Sequence, residues 1–289
     1  MEKIKMRSRM FPDLTNWEIE EYLKRNDLIL VPVGNCEVHG EWPVDCEYVF
    51  QMGYAKLIAE ECDGLVLPGL NYFHPGGTQT GRGTVHMGMT QGLEYCLALA
   101  HSLLDQGFKR QIWIPSHQPT SMFLLAMVTQ FFDETHVPIM FLDLMKLQMN
   151  RGLFPKEPMG ATTTSDGRKV VPFEDCMLAG YTLTGRLEAV PAIGEVDFPE
   201  VEESKRVCKW DNSWFAEYDI LQKAGNFGAP APFYFPNATD HGGYPVPKCT
   251  RAELEELTGQ PVYLDLWVKV SPHWRQTDLV LRRLGYGLQ

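Results

Sequence analysis

This 289-residue chain has no CxxC pair, no uninterrupted apolar run of about 18 residues, no GKS-type phosphate loop and no nucleophile elbow. Each absence removes a class of protein. The seven cysteines (Cys36, Cys46, Cys62, Cys96, Cys176, Cys208 and Cys249) are odd in number and dispersed. They read as reduced thiols of the cytoplasm, neither a disulfide framework nor a zinc ribbon. Lys and Arg number 26 against 37 Asp and Glu, for a net charge of −11. Nucleic acid and anionic membranes are therefore not expected partners, since both require excess Lys and Arg on one face. The N-terminal stretch MEKIKMRSRMFPDL is basic but lacks an apolar h-region, so neither secretion nor membrane insertion is expected. Low-complexity tracts and internal repeats are also missing. A folded, soluble chain remains.

What is present is an alternation of short apolar runs and helical patterns. Thr15-Asn-Trp-Glu18 is a capping box, and Trp17, Ile19, Tyr22 and Leu23 form a rough apolar stripe behind it. LILVPV (28–33) has the length of a buried strand and precedes a polar loop and a helical stretch over 48–62. LVLP (65–68) leads through a Gly-rich loop into a helix from Thr90. QIWIP (111–115) leads through SHQPT into a helix through Phe123 to Phe132, and VPIMFLD (137–143) reads as a further strand. This order implies an α/β fold with a mostly parallel central sheet covered by helices on both faces, a three-layer sandwich. In such sheets ligands sit outside the carboxyl ends of the strands. The polar loops after residues 33, 68 and 114 should therefore converge. Residues 150–175 read as loop or insertion, 176–190 and 202–222 as helices, and PVYLDLWVKV (261–270) as a late strand behind the capping box Thr250 to Glu253. No linker forces a second domain, so 1–289 is expected to be one domain with a loop-rich insertion or extension after about 150.

The chemistry concentrates in NCEVHGEWPVDCEYVF (35–50), directly after the first strand. Glu37 and His39 are two residues apart and point the same way on an extended segment. A carboxylate with an imidazole suits Zn, Mn, Fe or Co. Which of Glu37, His39, Glu41, Asp45 and Glu47 hold a metal is left open by the residues alone. His117, just after QIWIP, is the natural distal ligand, whereas His101, His136 and His273 read as surface or packing residues. The loop NYFHPGGTQTGRGTVHMG (71–88) carries His74, Arg82 and His86 and reads as a lid or substrate-orienting wall.

These segments together resemble the creatininase (creatinine amidohydrolase) family. LTNWEIEEYLKRNDLILVPVGNCEVHGEWP is similar to its opening helix and strand followed by the signature PxGSxEQHGxHLP. GRGTVHMG is similar to its GT-containing loop, GFKRQIWIPSHQPT stands in place of its NGHGGN segment, and FPNATDHGG is weakly similar to a late ATxEkG stretch. The resemblance runs over about residues 12 to 132 and is faint beyond. It implies an α/β sandwich assembled as a homo-oligomer, usually a homohexamer, with one or two divalent ions (Zn, Mn or Fe).

Carried over by position, Glu37 and His39 match the signature glutamate and histidine, and His117 matches the histidine of NGHGGN. Glu47, four residues after Pro43, matches the bridging carboxylate, with Asp45 as its competitor one register away. The chain departs from the family around Glu41-Trp42, where the signature's HGxH histidine is replaced. It departs again at Pro119, where creatininases proper carry a metal-binding glutamate, and at Thr182 to Thr184, which hold no carboxylate; Glu188 is a candidate substitute. The resemblance thus implies a divalent-metal-dependent hydrolase that opens a small polar cyclic substrate, a cyclic amide or an oxidised cyclitol. Glu41 is the expected proton shuttle, His39 is both metal-side and catalytic, and Trp42, His74, Arg82 and Gln118 form the substrate wall. A metal-dependent isomerase or lyase acting on a sugar-like ketone, and a non-catalytic small-ligand-binding relative, are the alternatives.

Overall fold

The computed structural model describes residues 5–75, 83–115, 117–143, 162–163, 169–170, 172–198, 246 and 248–259. Helix α1 (Asn16–Leu23) opens on the capping box, with Glu18 N–H on the Thr15 hydroxyl at 3.3 Å and Thr15 N–H on the Glu18 carboxylate at 2.8 Å. Strand β1 (Leu28–Val33) follows, then α2 (Cys46–Cys62), β2 (Leu65–Val66), α3 (Met89–Asp105), β3 (Arg110–Pro115), α4 (Gln118–Thr135) and β4 (Met140–Phe141). A short antiparallel pair, β5 (Thr162–Thr163) and β6 (Lys169–Val170), precedes α5 (Pro172–Leu183) and α6 (Arg251–Gly259).

β1 to β4 form one parallel sheet in the order β2-β1-β3-β4. Every residue of β1 is buried, which an uninterrupted apolar strand requires when both sheet faces are covered. Its side chains alternate between two cores. Leu28 and Leu30, with Ile112 and Ile114 of β3, pack against α2, α5 and Leu254 of α6. Ile29, Val31 and Val33, with Trp113, pack against Tyr22 of α1, Cys96 and Ala100 of α3, and Leu124 and Met127 of α4. The expected three-layer α/β sandwich is the observed architecture.

Chain handedness explains which helix lies where. The β1–α2–β2 crossover moves to one side of β1, and β2–α3–β3 returns across it. Right-handed crossovers in opposite directions put α2 on one face and α3 and α4 on the other. Pro32 sits in a central strand without disrupting it. The Leu30 carbonyl accepts from Leu67 N–H, so the nitrogen of Pro32, two residues on, faces the same edge, where β2 has already ended. Two glycines permit close approaches. A Cβ on Gly34 would lie 3.0 Å from Tyr48 Cα, and one on Gly180 would lie 2.9 Å from Phe50 Cα, so neither the turn after β1 nor the α2–α5 crossing tolerates a side chain.

Three expectations change. Trp17 is 71% exposed, and α1 buries only Tyr22 of its stripe. The strand expected over 137–143 shortens to Met140–Phe141. The stretch 150–175 holds the β5–β6 pair and the start of α5 among its described residues. The helix at 202–222 and the strand at 261–270 lie outside the described residues. No described helix is long and apolar enough to cross a membrane.

Candidate metal centre

The strand order reverses direction around β1, so α2 and α4, which follow β1 and β3, lie on opposite faces and a crevice opens at the carboxyl ends of those strands. The loop after β1 is folded back on itself. Gly34 N–H donates to Leu70 O at 2.8 Å, Glu37 N–H to Val44 O at 2.8 Å and Trp42 N–H to His39 O at 3.2 Å, with Gly40 at φ +64° making the tight turn. Val38 N–H donates to Thr84 Oγ1 at 3.2 Å, tying in the GRGTVHMG segment. The three polar loops do converge there.

Glu37 and His39 are brought inward, at 0% and 2% exposure. Glu47 lies in the first turn of α2, where the positive helix end favours an ionised carboxylate. His117 is the N-cap residue of α4. Its Nδ1 lies 2.8 Å from Glu47 Oε2 and 3.3 Å from Glu37 Oε1. His39 Nε2 lies 3.4 Å from Glu47 Oε1, so the two oxygens of Glu47 face different imidazoles. His117 Nε2 is 2.9 Å from the Pro75 carbonyl. A carbonyl only accepts, so Nε2 carries the hydrogen and Nδ1 presents its lone pair, or a second proton, to the carboxylates.

The electrostatics follow from this packing. Burial pulls the His117 pKa down, but the Glu47 and Glu37 charges outweigh it and hold it up to about 9. Burial likewise opposes, and Glu47 overrides, in raising His39. Glu47 is held well below the usual carboxylate range by His117 and His39, against its own burial.

Ligand atoms of Glu37, Glu47 and His117 all lie within 4.8 Å of one another. An ion with bonds of about 2.0–2.2 Å holds neighbouring ligands roughly 2.8 to 3.6 Å apart, from octahedral to tetrahedral angles, and the pairs at 2.8 and 3.3 Å suit that spacing. Two buried carboxylates and one imidazole nitrogen, with the other nitrogen anchored to a carbonyl, are a donor set that fits a divalent cation.

Several expected site residues lie elsewhere. Asp45, the competitor of Glu47, accepts from Tyr181 Oη at 2.9 Å and pairs with Arg186 at 2.5 Å. Glu41, the expected proton shuttle, instead accepts from Val246 N–H at 3.1 Å and pairs with Lys248. Trp42 is not an open wall but a core residue, 3% exposed and stacked on Tyr181 with ring centroids 6.3 Å apart. Glu188 is exposed in a 3-10 turn and does not join the cluster. His74 is half-buried near His86, 6.4 Å between ring centroids, and burial, with His86 and His117 nearby, lowers its pKa. Arg82 lies outside the described residues, and Gln118 is described only as the first residue of α4. His101 pairs with Glu134 and His136 ends α4 in a left-handed conformation, as their surface reading implies. The Pro75 carbonyl, as a backbone group, carries no residue-type signal in the sequence.

A parallel α/β sandwich with a carboxylate–imidazole donor set at its switch point defines a class: α/β proteins with a candidate metal centre. The family model for creatinine amidohydrolase matches residues 12–170, more than half of the chain. The chain belongs to the creatininase family. Solved structures agree on the fold. A mutant creatininase matches with a TM-score of 0.58 at 19% identity, over 93% of this chain and 99% of that one. A creatinine amidohydrolase (creatininase) gives 0.52 at 20%, over 93% and 99%. A mutant creatininase of Zn-Zn type gives 0.54 at 18%, over 94% and 99%.

A second kind of match is local. GTPase Era of Aquifex aeolicus (strain VF5) is 51% identical over 43 residues, 15% of this chain and 14% of that protein, and GTPase Era of Alkaliphilus oremlandii (strain OhILAs) is 49% identical over 41. The chain thus spans about a seventh of the length of these curated relatives.

Proposed function

We propose that this chain is a divalent-metal-dependent hydrolase that opens a small polar cyclic substrate, a cyclic amide or an oxidised cyclitol ring. The observation that carries the reading is the convergence of Glu37, Glu47 and His117 within 4.8 Å at the switch point. Glu37 Oε1, Glu47 Oε2 and His117 Nδ1 are the donor atoms, and the Pro75 carbonyl holds the His117 ring in the required tautomer. When bound, a divalent ion there polarises a carbonyl and acidifies water, so that a nucleophile is available near neutral pH without a Ser or Cys. His39 Nε2 faces the second oxygen of Glu47, where it serves a second ion or holds a proton as the reaction turns over. Zn, Mn and Fe all suit these donors, and the relative of Zn-Zn type supports room for two ions in such a fold.

Creatinine itself is disfavoured as substrate, because Pro119 stands where creatininases proper carry a metal-binding glutamate. His74, half-buried beside His86, supports a polar wall next to the centre; Arg82 and Gln118 complete that wall in this reading. A homo-oligomer of hexameric type goes with the family assignment in this reading, a cytoplasmic location with the dispersed cysteines, and one domain over 1–289 with the lack of a linker. The test is metal analysis of the wild type, Glu37→Ala and His117→Ala, with turnover of cyclic amides and cyclic diketones in isotopically labelled water. Stoichiometric metal lost in both variants, with label in the product, is expected. Full metal content and activity in both variants overturns the site, and an unlabelled product turns the reading to an isomerase or lyase.

A further inference from the structure

Two fully buried polar side chains lie beside the donor set without belonging to it: Asn35, two residues before Glu37, and Thr120, three residues after His117. The Thr120 hydroxyl donates to Asn35 Oδ1 at 3.0 Å. The bond therefore joins the loop after β1 to the first turn of α4. These are the two segments whose ligands face each other at 3.3 Å. The β1–β3 ladder ends at Val33–Pro115, so the strand register no longer spaces the segments at this height.

We propose that the Asn35–Thr120 hydrogen bond is the positioning device of the metal centre, setting the separation of Glu37 and His117. The proposal rests on the reading of that cluster as a metal centre. Both partners are shielded from water, where a hydrogen bond is electrostatically strong and its loss is not compensated by solvent. Both are short and sit next to backbone that leads directly to a ligand, so a displacement of either is passed to the donor atoms. In the signature motifs compared above, serine stands at the position of Asn35 and the last asparagine of NGHGGN at the position of Thr120. Amide and hydroxyl have exchanged sides in this chain, so one amide and one hydroxyl still face each other across the two positions.

Titration of the metal-free protein with Co²⁺, followed by its visible absorption, tests the bridge. Thr120→Val should weaken Co²⁺ binding about tenfold and change the spectrum, the size seen when outer partners of a metal site are removed, while Thr120→Ser retains both. Asn35→Ser and Thr120→Asn should each weaken binding, and the double variant should recover it; that set decides the matter if Thr120→Val fails to fold. Unchanged affinity and spectrum in Thr120→Val, or losses that simply add in the double variant, overturn the bridge while leaving the metal centre standing. A wild type that binds no Co²⁺ overturns the metal centre and the bridge with it.

Discussion

The two ends of the central sheet treat carboxylates differently. At the amino ends of the strands, Asp27 pairs with Arg110, and Asp63, the left-handed cap of α2, pairs with Arg9 and with Arg25, the latter at 3.1 Å. At the carboxyl ends, Glu37 and Glu47 face His39 and His117. A guanidinium keeps its proton and has no lone pair to offer, so such a pair is closed. An imidazole gives up its proton within the working range and then donates a lone pair. The amino end is built to hold the fold, and the carboxyl end, in the function proposed here, to exchange protons for a cation.

The largest expected break in this contrast is Glu47→Gln, which should lower metal affinity by more than about a hundredfold. Asp45→Asn, two residues away, should leave metal content intact and cost about 1 kcal/mol of stability through the lost Tyr181 and Arg186 contacts. Metal analysis and urea unfolding on the pair of variants check both. At the other end, Asp63→Asn keeps a residue suited to φ +53° but takes from the buried Arg9 its nearest carboxylate, with Glu60 next at 3.9 Å. It should cost about 3 kcal/mol in urea unfolding, with metal content unchanged.

A pH titration sharpens the comparison further. In the metal-free chain His117 is raised from 6.5 to about 9 by Glu47 and Glu37 against its burial. A raised pKa stabilises fully below the unfolded value and is lost as pH rises through the folded one. The metal-free protein should therefore lose stability as pH rises towards about 9, and the metal-loaded protein, whose ligands have already released their protons, should not. Thermal unfolding with and without chelator reads this out; a parallel decline in both forms would break the assignment. The smallest effect belongs to the capping box far from either end: Thr15→Ala should cost about 1 kcal/mol and leave metal binding untouched.

How much of this was legible beforehand varies by residue. The strands and helices of the first 135 residues follow from apolar run lengths and caps, because burial on both faces leaves no alternation to misread. Glu37 and His117 stood out because each directly follows a predicted buried strand. Glu47 and Asp45 did not separate cleanly: both lie at the start of the same helix, and only the packing of that helix decides which side faces His117. Trp42 and Glu41 misled for a related reason. Their place in the loop after β1 and their departure from the family signature marked them as site-like, but their partners Tyr181, Val246 and Lys248 lie more than a hundred residues away.

The amino-acid sequence by itself determined the layered α/β order and placed a carboxylate and a histidine after two adjacent strands, since both depend on local periodicity and on the switch-point geometry of parallel sheets. The tertiary structure alone decided which of the candidate ligands stand within 4.8 Å of one another, the tautomer of His117 through the Pro75 carbonyl, and the Asn35–Thr120 bond. Those depend on distances between segments tens of residues apart, which neither residue type nor spacing along the chain encodes.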